Sequence, residues 1–232
     1  MTGALSHLIV ASVLLPLATA ALMLLLGDGR RPLKAALNLL STAAGLALAL
    51  GLLWQVQAQG TPAAFGIYLP GNWSVPFGIV LVLDRLSALM LVLTGCIALA
   101  ALLYALARWH QAGVYFHALF QLQLMGLYGA FLTADLFNLF VFFEVLLAAS
   151  YGLLLHGGGA PRVRAGLHYI AVNLVASLLF LIGVAVLYGV TGTLNMADIA
   201  AKLPLVPTED RSGLDLDATV ARTEAERAQL IA

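Results

Sequence analysis

Six stretches of this chain, near residues 5–27, 33–54, 84–107, 114–134, 136–156 and 166–190, are almost uninterruptedly apolar. Each has roughly the twenty residues that a helix needs to cross a hydrocarbon core of ~30 Å. A segment in lipid finds no water for its N–H and C=O groups, so it must close its hydrogen bonds internally, as a helix or within a closed barrel. The apolar runs here are continuous and lack the period-two alternation of barrel strands, so helices are expected. Composition agrees. Of 232 residues, 62% are hydrophobic and 9% charged, whereas a soluble domain carries roughly a quarter charged. The expected fold class is all-α, a polytopic transmembrane helix bundle over residues 1–190.

The connecting segments suggest an orientation. Residues 27–34 carry Arg30, Arg31 and Lys34, residues 108–113 carry Arg108, and residues 156–165 carry Arg162 and Arg164. The alternate connections, residues 55–83 and the short link at Asp135, lack basic residues, so the basic loops are expected on the cytoplasmic side and both chain ends outside. Leu8–Ala20 resembles the core of a signal peptide, but Met1–His7 contains no Lys or Arg, so it is read as a retained first helix. Residues 55–83 are too rich in Gly, Pro and aromatics for a helix. Leu69-Pro70-Gly71-Asn72-Trp73 reads as a turn, compatible with a β-hairpin on the outer surface. Residues 191–232 form a polar, acidic tail, with four Lys/Arg and seven Asp/Glu against seven and four in residues 1–190. Thr219–Ala232 favours a short soluble helix.

The residue that most demands explanation is Glu144, near the centre of the fifth span within LFNLFVFFEVLL. An ionised acid at that depth costs roughly 2.5–3.5 kcal/mol on insertion scales, and Glu is too short to reach the interface. It must therefore face protein, a cation or internal water. Two readings remain open: a proton- or cation-relay site, and a protonated Glu making an interhelical hydrogen bond. No Lys or Arg lies deep in any span, and the neighbouring Asp84 and Arg85 read as an interfacial anchor. Other intramembrane polar residues fall on helix stripes: His117, Gln121 and Tyr128 on the fourth span, and Tyr169, Asn173 and Ser177 on the sixth. These stripes either line a hydrated path towards Glu144 or join helices by hydrogen bonds. His117 and His168 sit near cytoplasmic helix ends, where an interfacial imidazole is unremarkable, although each is also a candidate for proton transfer. Asp135 has the position of a helix N-cap.

Several chemistries lack their residues. Gly157-Gly158-Gly159-Ala160-Pro161 has no following Lys-Ser/Thr, so it is not a phosphate loop. There is no Cys/His cluster, no Ser/His/Asp set and no haem motif, and the lone Cys96 cannot form an internal disulfide. No clustered basic surface suggests nucleic acid. No cofactor or metal is expected.

Two blocks carry a resemblance. FHALFQLQLMGLYGAFLTADLFNLFVFFEVLLAASYGLLLHGG (116–158) and GLHYIAVNLVASLLFLIGVAVLYGVTGTLNMADIA (166–200) closely resemble the D subunit of Mrp-type (Pha- or Mnh-type) monovalent cation/proton antiporters. That family is similar to the antiporter-like membrane subunits of respiratory complex I. The likeness runs from about residue 5 to about 213. It implies a bacterial inner-membrane protein that works with other Mrp-type subunits in exchanging Na⁺ or K⁺ for protons. It also implies a longer chain, with Glu144 as the key acidic residue and a lysine on a seventh helix as its partner. After Glu209-Asp210-Arg211 the sequence departs from that pattern and reads as a truncated or frameshifted end.

The leading expectation is thus an antiporter subunit, read as its N-terminal half, with Glu144 in the translocation path. The alternatives are a proton-pumping subunit of a complex I-like NADH–quinone oxidoreductase or membrane hydrogenase, and an inactive remnant. TGTLNMADIA (191–200) favours the antiporter.

Overall fold

The structure, a computed structural model, describes residues 3–27, 29–58, 66–73, 78–107 and 113–205. Arg108 and the helix expected at Thr219–Ala232 lie outside the described residues. The described residues form six long helices: α1 (Gly3–Leu25), α2 (Arg31–Ala58), α3 (Arg85–Ala107), α4 (Phe116–Leu132), α5 (Leu136–Leu154) and α6 (Ala160–Thr191). A short α7 (Met196–Lys202) follows. Five of the six are long and apolar enough to cross a bilayer on their own account, and the protein is a multi-pass membrane protein.

The exception, α4, has 17 residues, about 26 Å at 1.5 Å per residue. It is also the most enclosed helix. Its buried residues, from Phe116 and His117 through Gln121, Leu124 and Tyr128 to Leu132, cover most of its circumference. A helix wrapped in protein need not match the bilayer thickness. Helices α1 and α5 pack along it.

Close approach of α4 to α5 depends on two glycines. A Cβ on Gly126 would lie 2.8 Å from Leu146 Cβ and 3.0 Å from its backbone, and one on Gly129 would run into the Phe142 ring. Small residues let helix backbones approach where no hydrophobic effect drives them together.

Between α2 and α3, β1 (Gly66–Tyr68) pairs antiparallel with β2 (Leu81–Leu83), Ile67 opposite Val82. A 3-10 turn at Pro70–Asn72 follows β1, with Gly71 at φ 69°. Leu81 also bridges Thr133 at the end of α4, and Ala134 N donates to Val80 O at 2.9 Å. Asp84 caps α3, accepting from Ser87 N at 2.6 Å.

Three boundaries differ from those that hydropathy suggests. Helix α2 runs on to Ala58 rather than ending near residue 54, into the stretch expected to be non-helical. Helix α6 begins at Ala160 rather than near residue 166, because Gly157, Gly158 and Gly159 all take positive φ and Pro161 opens the helix. Its first turns carry Arg162, which donates to His156 O, and Arg164. The polar stretch after residue 190 is structured at its start. Gly192 closes α6 in the left-handed region, Thr193 is buried, and Asn195 bridges Asp135 while capping α7. Leu136 N donates to Leu194 O (3.0 Å) and Met196 N to Ala134 O (2.8 Å). Polarity marks this segment as lying outside the apolar region. Its backbone pairing with the α4–α5 junction holds it on the bundle. In α7, hydrogen bonds from Lys202 and Thr193 hold the Asp198 carboxyl below its ordinary range.

Gly129→Ala should be destabilising by about 1–3 kcal/mol through overpacking, lowering the temperature at which detergent-solubilised protein ceases to be monodisperse. Gly183→Ala, where an added Cβ meets nothing within 4 Å, should leave that temperature unchanged or raise it.

Candidate functional site

The site begins at the N-terminus of α5. Asp135 caps the helix, its Oδ1 accepting from Asn138 N at 2.8 Å, and Asn138 Nδ2 donates to Thr133 Oγ1 at 2.9 Å. This fixes where α5 starts, and so the depth of Glu144 on it.

Glu144 is half-buried on the flank of α5 that meets α6. Its carboxylate accepts a hydrogen bond from the Ser177 hydroxyl on α6. Helix α6 turns a consistent stripe towards α5: Gly166, Ile170, Asn173, Ser177, Phe180 and Val184 are its more buried positions, while Val172, Val175, Leu179 and Ile182 are exposed. Stacking of Phe180 on Phe140 (6.2 Å, 9°) and its edge contact with Phe143 lock the two helices one turn from Ser177. Beside the pair lies a cleft of about 270 Å³, lined by Phe140, Phe143, Leu147, Asn173, Ala176 and Ser177, among others.

Asn173 spends its amide on its own helix, donating to Tyr169 O at 2.8 Å. Tyr169 is largely outside the interface at 42% exposed, with its hydroxyl 3.5 Å from Ser150 Oγ and its ring edge-on to Tyr151. Of the α6 polar stripe, only Ser177 bonds the carboxylate.

The α4 stripe goes elsewhere. His117, Gln121 and Tyr128 face α2, not Glu144. His117 Nδ1 lies 2.9 Å from Asn38 Nδ2, and Gln121 Nε2 lies 2.7 Å from Asn38 Oδ1 and 3.1 Å from Thr42 Oγ1. Ser41 donates to Gln121 Oε1 at 3.3 Å and sits 3.0 Å from Thr19 of α1. Tyr128 packs its hydroxyl against Gly45. His168 is at the opposite end of α6 from α7, exposed, its Nδ1 3.0 Å from Arg164 O.

Two groups of intramembrane polar residues thus join helices: a carboxylate–hydroxyl pair between α5 and α6, and an amide–imidazole seam between α2 and α4. The second lies on a face of α2 that the sequence alone does not mark as a polar seam. Lys34, Asn38, Ser41 and Thr42 are buried on one face of α2. Their spacing of four, three and one along an otherwise apolar helix is the signal that could have found them. The described residues hold no group of three or more His, Cys, Asp or Glu placed to bind a metal.

Comparison with known proteins fits this arrangement. Residues 133–214 match the family model described as NADH:quinone oxidoreductase/Mrp antiporter, TM. The D subunit of a probable K(+)/H(+) antiporter from Rhizobium meliloti (strain 1021) is 56% identical over 222 residues, covering 95% of this chain and 41% of that protein. The D subunit of the Na(+)/H(+) antiporter of Bacillus subtilis (strain 168) is 39% identical over 85% of this chain and 40% of that protein. Among solved structures, the Mrp complex from Dietzia sp. DQ12-45-1b superposes with TM-score 0.74 at 34% identity, over 89% of this chain and 40% of that one. Respiratory complex I from Thermus thermophilus gives TM-score 0.69 at 27% identity, over 88% of this chain and 40% of that one. The chain spans about two fifths of the length of these relatives. In sequence and fold the chain is thus similar, over about two fifths of their length, to the antiporter-like membrane subunits of Mrp antiporters and of respiratory complex I, and its residues 133–214 match the membrane family that the two share.

Proposed function

We propose that the chain is a membrane subunit of a multi-subunit monovalent cation/proton antiporter, with Glu144 as the group on it that exchanges a proton for Na⁺ or K⁺. The observation that carries this reading is the hydrogen bond from Ser177 to Glu144 across the α5–α6 interface. A hydroxyl donor to a carboxylate contributes about 1.5–3 kcal/mol and fixes the side chain's direction. It supplies no counter-charge. In a low-dielectric interface the carboxylate is therefore neutralised by whichever positive species reaches it, a proton or a metal cation. The two compete for one group, which is the physical requirement of exchange.

The similarity to the Rhizobium and Bacillus antiporter proteins supports the antiporter assignment, and with it a bacterial plasma-membrane location and partners among other antiporter subunits. The likeness to complex I supports a second reading, in which the same helices move protons in response to quinone chemistry elsewhere in an assembly. Neighbouring genes distinguish them: small Mrp-type subunits for the first, iron–sulfur and quinone-site subunits for the second. The basic loops orient the bundle with residues 27–34 and 156–165 in the cytoplasm.

In everted vesicles containing the assembled complex, Glu144→Gln should abolish Na⁺- or K⁺-dependent dissipation of ΔpH while assembly is retained. An unchanged signal contradicts the proposal. Ser177→Ala should weaken exchange without abolishing it, since it removes a hydrogen bond and leaves the carboxylate. For orientation, in a Cys96→Ser background, a thiol from Ala160→Cys should react with an impermeant reagent from the cytoplasmic side. One from Trp73→Cys should react from the outer side, and reversed labelling overturns the topology.

A further inference from the structure

The hydrogen bonds of the α2–α4 seam form a chain of forced choices. The Asn38 backbone carbonyl can only accept, and it lies 3.2 Å from the end of the Gln121 amide. That end is therefore the NH₂ group. The same NH₂ sits 2.7 Å from the Asn38 side-chain amide. Two donors cannot face each other, so Asn38 presents Oδ1 to Gln121. Its Nδ2 then points the other way, 2.9 Å from His117 Nδ1. An amide NH₂ only donates, so Nδ1 must accept and carries no proton. The neutral ring keeps its hydrogen on Nε2.

The ring sits in an enclosed setting. Asn38 and Gln121 are wholly buried, and His117 is 3% exposed. From α2, Lys34, also buried, lies one turn before Asn38 on the same face. From the α5–α6 turn, His156 packs against Phe116, which in turn packs against His117, and Arg162 donates to the His156 carbonyl. From α4 itself the titratable neighbour on the stripe is Tyr128, and α1 contributes the uncharged Thr19 through Ser41. The acids among the described residues are placed elsewhere: Asp84, Asp135 and Asp198 at the end of the bundle that carries the β-hairpin, and Glu144 on Ser177.

We propose that Asn38 is a positioning residue that holds His117 as a neutral hydrogen-bond acceptor, making the α2–α4 seam a fixed clamp that carries no proton. A proton arriving at Nδ1 meets the Asn38 donor. Turning that amide over to receive it would set its NH₂ against the Gln121 NH₂. Helices α2 and α4 are thereby tied through three amide and imidazole groups, and proton movement is confined to the α5–α6 side. That last consequence rests on the function proposed for Glu144; the tautomer does not.

The test is nitrogen NMR of the full chain, labelled with ¹⁵N-histidine and held in lipid bilayers, with His117 assigned by its loss in His117→Asn. The expected spectrum at neutral pH has a bare Nδ1 and a protonated Nε2. Asn38→Asp replaces the donor with an acceptor while keeping the acceptor that Gln121 needs, so the bare Nδ1 signal should be lost as that nitrogen takes a proton. Thr42→Val should leave it in place. A wild-type ring with Nδ1–H, or with both nitrogens protonated, overturns the proposal whether or not the variants fold. So does an Asn38→Asp protein that keeps the bare signal. In the assembled complex, His117→Asn, which offers an oxygen near the Nδ1 position and cannot carry a proton, should retain exchange. Its loss in an assembled complex would overturn the proton-free role. A Glu144→Gln complex that still exchanged would instead overturn the functional reading and leave the tautomer standing.

Discussion

In a bilayer a polar side chain within a span must find its partner inside the protein, on its own helix or on a neighbour, because water is not there to serve. That constraint orders this structure more than any apolar contact does. Leucine and valine on α3 or α6 are equally at home against lipid or protein, so they do not decide which helices are neighbours. The polar atoms do. Asn38 and Gln121 set α2 against α4, and Glu144 and Ser177 set α5 against α6. Glycines at 126 and 129 complete the arrangement by letting α4 and α5 come close enough to join the two halves.

The two polar interfaces differ in kind. Within the α2–α4 seam the amides of Asn38 and Gln121 bond to each other, to the hydroxyls of Ser41 and Thr42 and to the His117 imidazole, and these residues are almost wholly buried. Such a network is stiff, since changing one group's orientation leaves another unsatisfied. Between α5 and α6, one ionisable group meets one hydroxyl beside an open cleft. Among the described residues no cation is paired with Glu144, and on the function proposed here its state depends on what arrives. A rigid half and a responsive half would suit the function proposed, in which a subunit holds its place in an assembly while one group changes its bound ion.

Much of this is legible in the sequence, for reasons that can be stated. Helix number follows from apolar length, and the cap at Asp135 from its place before an apolar run. That Glu144 needs a partner follows from depth alone. Periodicity puts His117, Gln121 and Tyr128 on one face of α4, but it does not say which way that face points. Direction is a property of packing, and here it is towards α2. For the same reason Asn38 and Thr42 do not stand out, since a tolerated polar residue and half of a hydrogen-bonded pair look alike until the neighbouring helix is known. Hydropathy places the start of α6 too late because an apolar window ends where arginines begin, whereas the helix continues through Arg162 and Arg164 back to Pro161.

The central claim is that proton and cation compete for Glu144. Carbodiimides modify protonated carboxyl groups in apolar surroundings, so their rate of reaction with Glu144, followed by mass spectrometry on the assembled complex, reports that competition directly. The rate should fall as Na⁺ or K⁺ is raised at constant pH and ionic strength, with choline as the substituting cation. A Glu144 that reacts at the same rate whatever the cation would contradict the account.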